Sequence, residues 1–95
     1  MNQKKIVFGN QKGGVGKTTN TKEIGIYLAV SGYHTLLIDT DPQRNLTKGL
    51  TDEVKRGTYE AYTEEAFDLH QLRENLYLLH GSEKLAQLER NLVGE

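Results

Sequence analysis

Cysteine is absent from the 95 residues, and proline occurs once. A chain without cysteine can form no disulfide, no thiolate zinc site and no cysteine nucleophile. Its longest apolar runs are a few residues, too short for a membrane-spanning helix. Lys4 and Lys5 precede only the short stretch Ile6–Gly9 before polar residues, so no signal peptide is predicted. We expect a cytoplasmic protein without membrane association.

The chain also lacks an excess of charge of either sign. Twelve Lys and Arg against thirteen Asp and Glu give a net charge of −1, which argues against a nucleic-acid-binding footprint. The length allows one domain or part of one, and 36% hydrophobic residues are typical of a globular protein.

The first half of the chain has the pattern of a βαβ unit. A short apolar run, Ile6–Phe8, predicts a buried strand, and the glycine-rich loop Asn10–Gly16 follows it. A helix is predicted from Lys17 to about Ser31, then a second strand at Thr35–Ile38 that ends on Asp39. This order predicts an α/β fold with a parallel sheet and a right-handed crossover.

The second half has weaker signals. Mostly polar residues run to about Arg56, a helix is predicted for Thr58–Phe67, and Asp68 with Gln71 forms a candidate N-terminal capping pair. Leu76–Leu79 reads as a third strand. Ser82 is predicted to cap a last helix whose apolar stripe packs in the core: Leu85, Leu88 and Leu92.

Several other side chains are expected to be structural. On the first helix, one face is predicted to carry Ile24, Tyr27, Leu28 and Ser31. The histidines lie far apart in sequence and are interpreted as surface or turn residues: His34, His70 and His80. The aromatic residues are interpreted as core or half-buried: Tyr27, Tyr59, Tyr62, Phe67 and Tyr77.

The glycine-rich loop is the most informative segment. Between a strand and a helix stands Gln-Lys-Gly-Gly-Val-Gly-Lys-Thr-Thr, residues 11–19. Glycines let backbone N–H groups surround the phosphates of a nucleotide, and the following helix adds its positive end. Lys17 can reach the β and γ oxygens, and the Thr18 hydroxyl can enter the coordination shell of Mg²⁺. The loop therefore predicts binding of a nucleotide with Mg²⁺.

The loop departs from the general P-loop pattern, because Gln11 takes the place of its first glycine. Lys12–Thr19 resembles the deviant Walker A motif of the ParA/MinD class of P-loop ATPases. That resemblance implies ATP binding by the whole segment: Lys12, Gly13, Gly14, Val15, Gly16, Lys17, Thr18 and Thr19. It also implies that Lys12 reaches across an ATP-bound homodimer to the partner's phosphates. A solvated surface lysine is the alternative for Lys12.

A second group of candidate residues, Asp39-Thr40-Asp41-Pro42-Gln43-Arg44-Asn45, follows the second strand. Ligands of open parallel sheets bind outside the carboxyl ends of the strands, which is where the glycine loop also lies. A carboxylate there can act on Mg²⁺ through its waters or orient the water that attacks the γ-phosphoryl group. A simple Asp-Pro turn is the alternative.

This second motif is similar to switch I of the ParA branch in particular. The resemblance implies that Asp41 positions the attacking water, acting with Lys12 and Lys17 in catalysis, and that Asp39 lies near the Mg²⁺ shell completed by Thr18. A fainter likeness extends over residues 75–82. Glu23 stands where many members have Asn, a departure that leaves the role of this position open.

The resemblance implies an ATP-hydrolysing dimerisation switch in plasmid or chromosome partitioning, stimulated by a ParB-like partner. Residues 1–95 would be the N-terminal part of one nucleotide-binding domain, with the Walker B strand and the DNA-binding segments absent. We therefore expect weak nucleotide binding and negligible turnover from this chain alone. The alternatives are a nucleotide-binding remnant or interaction module that does not hydrolyse ATP, a MinD-like division-site ATPase, and a metal-cluster carrier.

Overall fold

The computed structural model describes residues 3–9 and 16–92, which form a four-stranded sheet with helices packed on it. The strands are β1 (Lys4–Gly9), β2 (His34–Asp39), β3 (His70–Arg73) and β4 (Leu76–Leu79). The helices are α1 (Gly16–Val30), α2 (Asn45–Leu50), α3 (Thr58–Tyr62) and α4 (Leu85–Leu92). None of the helices in these described residues is long and apolar enough to cross a lipid bilayer.

The strand order is β1-β2-β4-β3. β1 runs parallel to β2, and β2 runs parallel to β4, whereas β3 is antiparallel to β4. The α/β class is therefore confirmed, with a mostly parallel sheet. The strands β1, β2 and β4 are apolar over several positions. The prediction of a buried strand at Ile6–Phe8 holds for one face only, because Val7 packs against the core whereas Ile6 and Phe8, on the opposite face, are 60% and 61% exposed.

Helix α1 packs on the sheet through its smallest residues. Thr21, Gly25 and Ala29, spaced four apart, are the buried residues in the part of the helix whose side chains are described, residues 20–30. A Cβ atom added to Gly25 would lie 2.6 Å from Cδ2 of Leu37, which is itself fully buried. The glycine thus permits close approach of helix and strand.

The face of α1 that carries Ile24 and Tyr27 is not the face that packs on the sheet. Ile24 is 50% and Tyr27 is 70% exposed, because the small residues on the other side of the helix face the sheet. Ser31 is also exposed, and Leu28 is half-buried.

The hydrophobic core lies between α1, α2 and the sheet. Leu37 and Leu78 are fully buried at its centre, on the parallel strands β2 and β4. Ala29 and Leu46 contribute from the two helices, and Leu76 completes the cluster. Both helices are therefore anchored to the two central strands.

The segment after α3 differs from the sequence prediction. The helix predicted for residues 58–67 ends at Tyr62, and Gln71, the predicted capping residue, lies in β3 opposite Tyr77. Asp68 is likewise in an irregular segment rather than at a helix start. Asn75, with a φ of 66°, makes the tight turn into β4. Pairing of this hairpin with the sheet outweighs the local helical tendency.

Two helices flank this region. Helix α2 was not predicted, since residues 43–56 are mostly polar, but it buries Leu46 and Thr47. The third strand, Leu76–Leu79, is confirmed, and the Ser82 hydroxyl accepts the N–H of Lys84 at 3.1 Å before α4, as expected of a cap. Leu85 is buried and Leu88 half-buried; the Leu92 side chain lies outside the described residues.

The prediction for the aromatic residues holds for two of five. Tyr59 and Tyr77 are half-buried, whereas Tyr27, Tyr62 and Phe67 are 70%, 61% and 46% exposed. Tyr62 is the last residue of α3, and Phe67 lies beyond the end of that helix in an irregular segment.

Candidate nucleotide site and switch segment

The ends of β1 and β2 are joined at the edge where both motifs begin. Gly9 pairs in register with Asp39. Thr40, the next residue, donates both its backbone N–H (3.0 Å) and its hydroxyl (2.9 Å) to the carbonyl of Gly9. The glycine-rich loop and the aspartate motif therefore leave the sheet side by side, as the sequence predicts.

Most of the glycine-rich loop, residues 10–15, lies outside the described residues, including Lys12, Gly13, Gly14 and Val15. The helix that follows begins at Gly16, and the backbone of residues 16–19, which includes Lys17, Thr18 and Thr19, forms its first turn. The helix therefore begins within the predicted phosphate-binding segment of residues 12–19, one residue before the predicted start at Lys17.

Asp39 is fully buried and its carboxylate accepts three hydrogen bonds. Oδ1 accepts the N–H of Asp41 at 2.9 Å. Oδ2 accepts the N–H of Thr47 at 2.9 Å and its hydroxyl at 2.6 Å. Burial raises the pKa of Asp39, whereas these hydrogen bonds oppose that shift and the neighbouring Asp41 carboxylate adds to it. Asp39 thus connects the aspartate motif of residues 39–45, called the switch segment below, to α2.

Asp41 is 4% exposed and organises the turn that follows it. Its Oδ1 accepts the N–H of Gln43 at 3.0 Å. Its Oδ2 accepts the backbone N–H of Asn45 at 3.1 Å and the Asn45 side-chain amide at 2.8 Å. The backbone carbonyl of Asp41 also accepts the N–H of Arg44. Asp41 therefore caps residues 42–45 in this conformation.

Thr47 is a central residue of this region that the sequence analysis did not identify. Its fully buried hydroxyl donates to Asp39 and accepts the N–H of Gly81 at 2.9 Å. A Cβ added to Gly81 would lie 2.7 Å from Oδ2 of Asp39, so a glycine is needed there. A chain of hydrogen bonds thus joins Asp39 at the end of β2, Thr47 in helix α2 and Gly81, which follows β4.

Arg44 is also hydrogen-bonded to Gly81. Its Nε donates to the carbonyl of Gly81 at 3.1 Å. Its backbone adopts the left-handed conformation, with φ 61° and ψ 33°, which costs a residue with a Cβ about 1 kcal/mol. A positive φ at arginine is not visible in the sequence, so this feature could not have been predicted.

The interpretation of the histidines as surface or turn residues was wrong for His80, which is fully buried. Its Nε2 lies 2.9 Å from Nδ1 of His70, and the two rings stack with centroids 5.1 Å apart. His70 also lies 3.4 Å from a carboxylate oxygen of Glu53. The hairpin formed by β3 and β4 brings the two histidines together, because His70 pairs with Leu78, two residues before His80.

The His80 ring is held in its neutral form. Burial, with a smaller effect from the charges of His70, Arg44 and Lys55, lowers the pKa of His80 to about 4. Its Nδ1 is buried and has no hydrogen-bond partner in the described part of the chain. The backbone of Gly57 packs on the backbone of His80, because a Cβ added to Gly57 would clash with the carbonyl oxygen of His80.

The donor set of the switch segment consists of carboxylate, hydroxyl and amide oxygens, the ligand types that Mg²⁺ prefers. Within residues 3–9 and 16–92, no group of three or more His, Cys, Asp or Glu residues could hold a metal ion by protein ligands alone. Since all three donors on Asp39 come from the protein, a nearby Mg²⁺ would be held through its waters and by the phosphates and hydroxyl of the loop.

The chain matches known proteins over almost all of its length. Residues 3–95 match the AAA domain family AAA_31. The chromosome-partitioning ATPase Soj of Treponema pallidum is 60% identical over 47 residues, which are 50% of this chain and 19% of that protein. The sporulation initiation inhibitor protein Soj of Bacillus subtilis is 39% identical over 93% of this chain and 38% of its own length.

A solved structure agrees with the fold. Protein DIP2308 from Corynebacterium diphtheriae superimposes with a TM-score of 0.70 at 27% identity, covering 94% of this chain and 39% of that one. The fold and the matched segments define a P-loop ATPase domain. The chain belongs to the ParA family of these ATPases. It spans less than two fifths of the length of the relatives named here.

Proposed function

We propose that this chain forms part of one nucleotide-binding domain, residues 1–95, of an ATP-dependent switch that acts in plasmid or chromosome partitioning. ATP with Mg²⁺ binds the loop of residues 12–19, and hydrolysis to ADP and phosphate resets the switch. The observation that carries the proposal is the parallel register of Gly9 with Asp39, which starts the loop and the aspartate motif at one edge of the sheet.

The reaction we propose is phosphoryl transfer to water, in which positioning and charge neutralisation supply most of the rate. Lys17 neutralises the phosphate oxygens, and Asp41 orients the attacking water. Mg²⁺, held by the Thr18 hydroxyl and through water by Asp39, would spread the charge that develops on the phosphates. The capping bonds of Asp41 to Asn45 must loosen for this role, so hydrolysis requires the turn of residues 42–45 to move.

The resemblance of the glycine-rich loop to the deviant Walker A motif also suggests how two subunits would assemble. We propose that Lys12 contacts the nucleotide of a second subunit and so makes the homodimer ATP-dependent. A ParB-like protein in the cytoplasm would stimulate hydrolysis, and nonspecific DNA would be bound by segments that this chain does not include. The names of the Soj relatives as chromosome-partitioning ATPases support the partitioning role.

Nucleotide binding is the first test. A fluorescent ATP analogue with Mg²⁺ should bind the chain weakly, and Lys17→Ala should abolish binding by removing the phosphate-neutralising charge. Asp41→Asn should retain it, as should the control Asp68→Asn, an exposed carboxylate outside the site. Failure of the wild-type chain to bind any nucleotide, with its fold intact by circular dichroism, would refute the proposal.

Turnover is tested in a longer protein. Residues 1–95 can be joined to the remainder of the Bacillus subtilis Soj relative, which extends well beyond the matched region. We expect this chimaera to hydrolyse ATP, Asp41→Asn to bind ATP and dimerise without hydrolysis, and Lys12→Ala to bind ATP as a monomer in light scattering. Hydrolysis at the wild-type rate by the Asp41→Asn chimaera would remove Asp41 from the mechanism.

A second candidate function is a nucleotide-binding module that does not hydrolyse ATP. It is favoured by the hydrogen bonds of Asp39 and Asp41, whose four carboxylate oxygens all accept a bond from the protein itself. Single-turnover measurement on the chimaera separates the two functions, because a binding module would return bound ATP unchanged. A MinD-like division-site ATPase is a third candidate, supported only by the glycine-rich loop that the two groups share.

A further inference from the structure

A cleft of about 450 Å³ opens beside the switch turn and is lined mainly by charged residues. Four of its lining side chains are cations: Arg44, Lys55, Arg56 and Lys84. Two are carboxylates, Glu60 and Glu83. One of the carboxylates is directed elsewhere, because Glu60 is buried and accepts the N–H of Gly57 at 2.8 Å. The cleft is therefore positively charged in a chain whose net charge is −1.

Two of the four cations are available for an external anion. Lys55 and Arg56 pair with Glu53 (3.6 Å) and Glu65 (3.3 Å). Arg44 and Lys84, by contrast, form no ion pair with a described residue, and Lys84 instead stands 5.4 Å from the centroid of the Tyr59 ring. The ring holds the ammonium in place without neutralising it.

Arg44 is the fixed element of the cleft. Because its Nε is bound to the Gly81 carbonyl, the two terminal nitrogens of the guanidinium remain as a parallel pair of donors, the geometry that binds a carboxylate in bidentate fashion. The left-handed backbone at Arg44 would be relieved by glycine, and this relief would offset the loss of the single hydrogen bond from Nε to Gly81.

We propose that this cleft binds a short acidic segment of a partner protein, with one carboxylate on Arg44 and another near Lys84. A nucleic-acid backbone fits less well, since Lys55 and Arg56 are paired with carboxylates and the two remaining lining cations, Arg44 and Lys84, are too few for a row of phosphates. The exposed side chain of Val54, 80% accessible, adds an apolar contact at the rim that suits a peptide.

The position of the cleft would couple this partner to the switch. The carbonyl of Gly81 accepts a hydrogen bond from Arg44, and the N–H of Gly81 donates to the Thr47 hydroxyl. The Thr47 hydroxyl in turn donates to Asp39. A ligand that pulls on Arg44 therefore acts on the turn of residues 41–45. The binding site itself does not depend on the proposed ATPase activity, and it is measured without nucleotide.

Fluorescence polarisation at low ionic strength tests the proposal with four probes: a labelled Glu/Asp-rich decapeptide, the same peptide with Gln and Asn, a labelled single-stranded oligonucleotide, and inorganic phosphate as competitor. We expect the acidic peptide alone to bind, with salt-sensitive affinity. Arg44→Gly should weaken it about tenfold, the loss of one charge-assisted contact, without lowering stability. Lys84→Gln should weaken it severalfold. The control Arg73→Gln, an exposed cation of β3, should leave it unchanged.

Each contrary result overturns the proposal. Equal binding of the neutral peptide, or equal effects of Arg44→Gly and Arg73→Gln, would show that the cleft does not recognise carboxylates. Tighter binding of the oligonucleotide through Arg44 would assign the cleft to nucleic acid. Displacement of the peptide by phosphate at comparable concentration would show that the cleft binds small anions in general rather than an acidic segment. A stability loss in Arg44→Gly is detected by urea unfolding, and Lys84→Gln then carries the test.

Discussion

The buried histidine pair predicts how the stability of the fold depends on pH. His80 is fully buried with a pKa of about 4, against 6.5 for an unperturbed histidine. Between these two values the unfolded chain binds a proton that the folded chain does not. Stability is therefore complete above pH 6.5 and falls as the pH decreases towards 4. The difference of about 2.5 pKa units corresponds to about 3 kcal/mol, using 1.36 kcal/mol per unit.

Other titratable groups also contribute to the pH dependence of stability, and their contribution can be separated from that of His80. His70, Glu53, Arg44 and Lys55 surround the ring. Asp39 acts in the opposite direction: its raised pKa means that the folded state holds a proton more strongly than the unfolded chain, so stability falls as the pH rises through the Asp39 transition. His80→Gln removes the histidine titration and retains a hydrogen-bonding group for His70, so the difference between the two proteins isolates His80.

Urea unfolding followed by circular dichroism at several pH values between 4 and 7.5 provides the measurement. The wild-type protein should lose about 3 kcal/mol more than His80→Gln over this range. NMR of the imidazole ring provides a direct check that needs no variant: the His80 signals should stay in the neutral form down to pH 5. A His80 titration centred at pH 6 or above would refute the reasoning from burial.

Two further predictions concern packing and the switch network. Gly25→Ala should destabilise the fold by about 2 kcal/mol despite the better helix propensity of alanine, because its Cβ would meet Leu37. The control Gly49→Ala, with open space around it, should stabilise slightly, as thermal unfolding can show. Thr47→Val should cost about 3 kcal/mol by leaving buried polar groups of Asp39 and Gly81 without their partner, and Thr47→Ser should recover most of it in urea unfolding. Equal stability of the two Thr47 variants would exclude this role for the hydroxyl.

The sequence predicted the elements whose signals are local. Ile6–Phe8 and Thr35–Ile38 are apolar runs with turn residues at their ends, and each is a strand of the parallel pair. Leu76–Leu79 has the same pattern and is β4. These segments are recognisable because each is a short apolar run bounded by turn residues. In β1 only one face packs against the core, since Ile6 and Phe8 are exposed.

The elements that depend on distant partners were missed. β3 is mostly polar and becomes a strand by pairing with β4 across the turn at Asn75. Helix α2 is short, and Leu46 and Thr47 hold it by contacts with the core and with Asp39. A sequence window cannot contain this information, since Thr47 stands eight residues from Asp39 and 34 from Gly81.

The same network changes how the aspartate motif should be understood. From sequence, Asp39 and Asp41 were assigned to the metal and to water. In the structure their carboxylates hold Thr47 and Asn45, and through Thr47 the motif is connected to Gly81 at the end of another strand. These bonds do not exclude the catalytic assignment, because a switch must have a stable conformation to leave. They do imply that any ligand able to engage Asp41 must compete with three protein hydrogen bonds, so under our proposal nucleotide binding and the conformation of residues 42–45 would be linked.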